Sequence, residues 1–109
     1  MKKRQLADLI IPPNLPITET IKVIGRNGVR GVFVCDDDKV LLGIIMDSDF
    51  RRAELSRFDL DASSRTLMRI SPFVLDQDLS TDEKKQSLIK SDKILAPVVD
   101  KEKRVVDYI

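Results

Sequence analysis

The residues with the most chemical potential in this chain sit in one run, Met46-Asp47-Ser48-Asp49-Phe50-Arg51-Arg52. Two carboxylates, a hydroxyl and two guanidinium groups fall within one and a half helical turns. They follow directly on Val40-Leu41-Leu42-Gly43-Ile44-Ile45, an apolar run that reads as a strand buried on both faces. Asp47, Ser48 and Asp49 are all good helix-capping side chains, and Phe50, Ala53 and Leu55 continue at helical spacing. A strand that passes straight into a helix leaves free backbone N–H groups and a positive dipole end at a sheet edge, where phosphate or ribose can be held. The carboxylates suit the hydroxyls of a nucleotide and the arginines its phosphate. The same three residues can also do no more than cap a helix, a role worth about 1 kcal/mol.

Other chemistries lack their parts. The chain has no histidine, which removes the usual general base and the commonest metal ligand. Its one cysteine, Cys35, lies in an apolar strand pattern, so an internal disulfide is excluded and the thiol is read as a packing group. Asp36-Asp37-Asp38 has acids in the manner of a calcium loop but lacks the turn glycine and distal Glu, and is read as a hairpin turn. None of the four glycines precedes Lys-Ser or Lys-Thr, so there is no phosphate-cradling loop of that type. Catalysis by these residues is not expected.

The elements that position the run follow from patterning. Leu9–Ile11 is a short extended piece ended by Pro12, Pro13 and Pro16. Thr18 is the expected N-cap of a helix carrying Ile21 and Ile24 and ending at Asn27-Gly28. Residues 31–35 and 40–46 form a hairpin about the 36–39 turn, and a helix runs from about Ser48 to Arg57. A linker covers 58–64. Then come a helical turn at 66–68, a strand at 71–75, a helix at 82–90 capped by Ser80 or Thr81, and strands at 94–99 and 104–109. The apolar side of the 82–90 helix is thin, with Leu88, Ile89 and little else.

The order of elements repeats. A shift of 64 residues lays Val32–Asp36 on Ala96–Asp100, Val40–Leu42 on Arg104–Val106, and Ile24 on Leu88. On that shift the partner of the 46–49 turn falls beyond Ile109, so the second repeat is expected to be cut before its final helix, in a piece of a longer chain.

In this register the chain, from about 9 to 109, resembles a tandem cystathionine-β-synthase-type (CBS) pair. The residues that carry the resemblance are Val32–Asp36, Leu42-Gly43-Ile44-Ile45 leading to Asp49, Thr66-Leu67-Met68, Ser71-Pro72-Phe73-Val74 and Ala96-Pro97-Val98-Val99-Asp100. The resemblance implies an α/β fold of tandem CBS repeats, 1–64 and 65–109. Each is a small sheet with flanking helices, and the two pack sheet against sheet about a pseudo-two-fold axis. It implies a regulatory module that binds an adenine nucleotide such as AMP or ATP, requires no cofactor, and forms a homodimer. Asp49 takes the position of the family's ribose carboxylate. Asp47, Arg51 and Arg52 lie beside it, and Arg30, Gly31 and Val32 stand at the strand entrance that walls the adenine. Met46 departs from the family's Thr or Ser, which bears on whether this pocket is occupied. Ser71, Ile94, Leu95 and Pro97 would line a sister pocket.

The turn Asp47–Arg52 resembles the version found in CBS pairs fused to sugar-phosphate enzymes. Because the pair begins near Met1, a nucleotidyltransferase domain after Ile109 is the favoured arrangement. A ligand-free dimerisation module is the alternative. Lys plus Arg (19) and Asp plus Glu (18) nearly cancel, so no nucleic-acid or membrane partner is expected, and the cytoplasm is the default location.

Overall fold

The computed structural model describes residues 5–55 and 59–109, with side chains for 5–52 and 59–109. The basic leader 1–4, the end expected for the second helix at 56–57, and Phe58, expected to open the linker, lie outside the described residues. Two three-stranded sheets form the frame. In the first, β1 (Ile10–Ile11) runs parallel to β2 (Gly31–Cys35), which pairs antiparallel with β3 (Leu41–Met46). In the second, β4 (Leu75–Asp76), β5 (Pro97–Val99) and β6 (Val105–Tyr108) pair in the same senses. Helix α1 (Ile17–Asn27) joins β1 to β2, α2 (Asp47–Leu55) follows β3, and α3 (Thr81–Lys90) joins β4 to β5.

The 64-residue shift holds at the level of individual hydrogen-bonded pairs. Ile11 opposes Val34 as Leu75 opposes Val98, and Val34 opposes Gly43 as Val98 opposes Asp107. The strand irregularity falls between Val34 and Cys35 in one sheet and between Val98 and Val99 in the other. Both hairpin turns are built alike. Asp36 Oδ1 accepts the N–H groups of Asp38 and Val40, and Asp100 Oδ1 those of Glu102 and Arg104. Lys39 and Lys103 both sit in the left-handed region. These turns meet each other: Leu41 N–H donates to Lys103 O and Val105 N–H to Lys39 O, both at 2.9 Å. Such reciprocal exchange between equivalent residues is what a two-fold axis requires, and it passes by the bridge between Val40 and Arg104.

Alternation along the strands sorts side chains into layers. Val32, Val34 and Ile45 face the α1 and α2 side with Ile17, Ile24 and Phe50. Phe33, Cys35 and Ile44 face the other way and form one core with Leu95, Val99, Val105 and Tyr108 of the second sheet. The two sheets therefore pack face to face. Cys35 lies in that layer, and burial, with the Asp36 carboxylate next, pushes its thiol up to about 11. The third cluster is small: Leu75, Ala96 and Val98, against which Leu88 of α3 packs. No residue of α3 is buried, and Ile89 is 77 % exposed.

Three local expectations are corrected. Helix α1 starts two residues earlier than a Thr18 N-cap would place it, with Pro16 at the N-cap and no side-chain cap. Its free N–H groups are taken instead by the linker, Ile17 donating to Ala62 O and Thr18 to Leu60 O, each at 3.0 Å. The 71–75 strand shrinks to Leu75–Asp76, because Ser71 is left-handed and Pro72 has no N–H to give. The last two strands are also shorter, although Ala96 and Ile109 still exchange both backbone hydrogen bonds.

The linker is pinned to the first unit along its length. Thr20 and Ser64 share a buried hydroxyl hydrogen bond of 2.6 Å, and Ser64 N–H donates to Leu15 O. Farther on, Ile44 and Arg69 exchange backbone hydrogen bonds at 3.1 and 2.8 Å. That approach needs Gly43, since a Cβ there would stand 2.7 Å from Arg69 O and 2.9 Å from the Met68 side chain. Gly25, in α1, has nothing within 4 Å of the same position. Gly43→Ala is expected to lower the unfolding free energy by about 1–3 kcal/mol, as overpacking does. Gly25→Ala is expected to raise it by about 0.5–1 kcal/mol from helix propensity. Urea denaturation of the two variants side by side checks both signs.

Candidate functional site

The junction of β3 with α2 is continuous: Met46 ends the strand and Asp47 begins the helix. Met46 is thus the N-cap and Asp49 the third helical residue. In a capping box the N-cap hydroxyl takes the third residue's N–H while that residue's side chain takes the N-cap's N–H. Helix α3 has both halves, in Ser80 and Glu83. Helix α2 keeps one: Asp49 Oδ2 accepts the Met46 N–H at 2.8 Å, and methionine has no oxygen to return the bond.

Asp49 is fully buried, and its other oxygen is crowded with donors. Oδ1 accepts from Arg52 Nη2 at 2.8 Å and from Arg69 Nε at 3.0 Å, and Arg69 Nη2 stands 2.9 Å away as an ion-pair contact. The Arg52 and Arg69 side chains are 63 % and 45 % exposed, so each guanidinium bridges between the buried carboxylate and solvent. Arg69 Nη2 also lies 3.4 Å from the Ser48 hydroxyl. Arg69 is the residue that sequence reasoning missed. Its only prior signal was its place after Thr66-Leu67-Met68. What brings it to Asp49 is the backbone pairing with Ile44, made possible by Gly43.

A cavity of about 500 Å³ opens beside this cluster, a volume ordinary for a small-molecule site. Ile44, Met46 and Ser48 bound it on one side, the 69–73 segment on a second, and the 92–95 loop on a third. Residues assigned from the sequence to two pockets therefore share one: Met46 of the first unit faces Ser71, Ile94 and Leu95 of the second. Asp49 is beneath this wall, with Arg69 between it and the opening. Charged groups on the lining are Arg69, Lys93 and Asp92.

The remaining candidates are dispersed. Asp47 is exposed, its N–H donates to Arg30 O at 2.9 Å, and its carboxylate is 3.8 Å from Arg51. Arg30 is exposed and left-handed, at φ 69°. Val32 is packed toward the helices, on the opposite sheet face from Ile44. Gly31 is buried where Met46 and Leu95 come together: a Cβ there would stand 2.7 Å from Met46 Sδ and 2.9 Å from Leu95 Cδ2. Pro97 is buried in β5. A second cavity, of about 490 Å³, lies between the turn at residues 6–9 and α1 and includes none of these residues. Among the described residues, no group of three His, Cys, Asp or Glu is placed to hold a metal.

Residues 6–56 match the family model described as the CBS domain. The fold matches solved CBS pairs over nearly its whole length. CBSX2, solved in complex with AMP, is 20% identical with a TM-score of 0.82, over 94% of this chain and 81% of that one. The CBS domain protein PAE2072 from Pyrobaculum aerophilum, complexed with AMP, gives 19% and 0.79, over 93% and 78%. The CBS domain pair of MJ0100, in complex with 5′-methylthioadenosine and S-adenosyl-L-methionine, gives 22% and 0.78, over 93% and 79%. No curated protein matches the sequence. The architecture is that of a CBS pair.

The burial of Asp49 makes a specific stability prediction. Asp49→Ala frees two arginines that are already half in water, and is expected to cost about 1–2 kcal/mol in lost capping and hydrogen bonds. Removing both arginines (Arg52→Ala with Arg69→Ala) strands a buried charge, and is expected to cost about 3–5 kcal/mol. Adding Asp49→Asn to that pair restores part of the loss. Denaturant midpoints of the four proteins check the order.

Proposed function

We propose that this chain is a ligand-sensing regulatory module that binds an adenine nucleotide in the cavity between its two units. The observation that carries the reading is that cavity. It is closed by residues of both copies, so a ligand in it contacts the β3–α2 turn and the 92–95 loop at once. A ligand that prefers one relative placement of the units shifts the population toward it, which is the physical content of sensing. Partners solved with the same fold support the ligand class: two of the similar structures hold AMP and one holds adenosyl compounds.

The apolar walls offered to a base are Ile44, Met46, Ile94 and Leu95, and the polar groups offered to ribose and phosphate are Ser48, Ser71, Arg69 and Lys93. Asp49 stands behind the wall, joined to it through Arg69, whereas Asp47 lies on the α1 side with Ile21, Ile24 and Arg51. The linker up to Ser64 packs on α1, which supports dividing the chain into units 1–64 and 65–109. The resemblance of Asp47–Arg52 to the turn of CBS pairs fused to sugar-phosphate enzymes supports a fused nucleotidyltransferase as the regulated partner, with a cytoplasmic setting. No helix among the described residues is long and apolar enough to cross a membrane.

A ligand-free dimerisation module is the second reading. It is favoured by the internal donors that engage both oxygens of the buried Asp49 and by the exposed Ile89 on a helix with no buried residue. A thermal-shift titration with AMP, ADP, ATP and S-adenosylmethionine separates the two. The sensing reading expects a saturable rise in Tm that follows ligand concentration over Kd. It also expects Ile94→Glu, which puts a carboxylate on the wall, to abolish the rise while the protein stays folded. A homodimer by sedimentation with no response to any nucleotide favours the second reading.

A further inference from the structure

We propose that Arg69 acts as a built-in competitor for Asp49, and that the cavity therefore takes phosphorylated ligands and rejects their unphosphorylated counterparts. The inference rests on the sensing reading and names the ligand class of that same site. On the sensing reading Asp49 is the carboxylate that receives a ribose diol, but it is wholly buried and both its oxygens are in use. Oδ1 alone receives two N–H donors, Arg52 Nη2 and Arg69 Nε, with Arg69 Nη2 2.9 Å away as an ion-pair contact. Three of a carboxylate's roughly four acceptor positions are taken, and burial keeps the remaining one from solvent. A neutral diol approaching through the cavity meets the guanidinium, not the carboxylate. Displacing the guanidinium with two hydroxyl groups keeps hydrogen bonds to the carboxylate but gives up the attraction between two full charges at a buried group, which is unfavourable.

A phosphoryl group changes the exchange. Arg69 lines the cavity, is 45 % exposed, and uses Nε on Asp49 and Nη2 on Ser48 beside the same carboxylate. Its remaining donors are available, and a planar guanidinium matches phosphate in a two-point geometry. Lys93 stands on the same lining, and the one acid there, Asp92, leaves the two cations in excess. When a ligand phosphate takes over Arg69, one charge-assisted partner replaces another and Asp49 is uncovered for the diol, while Arg52 keeps its carboxylate from being stranded. The backbone of residue 69 need not move, since it is fastened to Ile44 by two hydrogen bonds. Only the side chain swings.

The test is isothermal titration of the wild type, Arg69→Gln and Arg69→Lys with AMP, adenosine and inorganic pyrophosphate, with circular dichroism to confirm folding. In the wild type, AMP is expected to bind about 10–100-fold more tightly than adenosine, the range that one charge-assisted contact supplies. In Arg69→Gln that ratio is expected to fall to within about threefold, with AMP weakened and adenosine strengthened as Asp49 is released. Arg69→Lys keeps the charge without the fork and is expected to fall between. Equal binding of AMP and adenosine by the wild type, or a ratio unchanged in Arg69→Gln, overturns the proposal and leaves the adenine site standing. If neither adenine compound binds, the adenine reading fails. Pyrophosphate binding that is lost in Arg69→Gln then still upholds the anion preference, and its absence overturns that as well.

Discussion

The close passage of the linker over β3 is the constraint from which the site follows. Gly43 has no Cβ, so the carbonyl of Arg69 and the side chain of Met68 can lie where a methyl group would otherwise stand. That clearance lets Ile44 and Arg69 pair in both directions. The pairing aims the Arg69 side chain at a helix start three to five residues farther along the other strand. The buried carboxylate at that helix start is held by this delivered cation together with Arg52 of its own helix. The chain of dependence runs from one missing side-chain atom to the charge of a cavity wall.

Repetition explains how the second unit can be so thinly built. Its own cluster holds few buried side chains, and α3 buries none. What stabilises it is the layer shared with the first sheet, in which Leu95, Val99, Val105 and Tyr108 meet Phe33, Cys35 and Ile44, together with the reciprocal bonds between the two hairpin turns. The interface between the units is thus part of the fold rather than an addition to it. A cavity set in that interface borders on residues that hold the units together, which is the arrangement in which a bound molecule can bias their placement.

Much of this was legible in the sequence because it is carried by local pattern. Val32–Asp36 and Ala96–Asp100 advertise the same strand and turn, and the shift of 64 that aligns them also fixes pairs such as Ile11 with Val34 and Leu75 with Val98. The acids at the β3–α2 junction were legible for the same reason, as capping residues after an apolar run. What the pattern does not carry is the third dimension of that junction. Thr18 is a better cap than Pro16 by residue type, yet the linker carbonyls of Leu60 and Ala62 do the capping from forty residues away. Arg69 is twenty residues from Asp49, on a segment without regular structure, and nothing in its neighbours' types marks it as a partner.

Asp49 has two occupations, and the choice of Met46 bears on how they are balanced. With a hydroxyl residue at position 46 the helix start would carry a complete capping box, as α3 does with Ser80 and Glu83. Methionine leaves Asp49 holding the N-cap by a single bond, so more of the carboxylate's stabilisation has to come from Arg52 and Arg69. A carboxylate that leans on mobile, half-exposed cations is one whose environment can be exchanged, whereas one locked by backbone donors on both oxygens is not. The same substitution brings Met46 Sδ against Gly31 and Leu95, where it adds apolar wall on the cavity side. Position 46 therefore leaves the buried carboxylate to be held by one backbone donor and by the cations at 52 and 69.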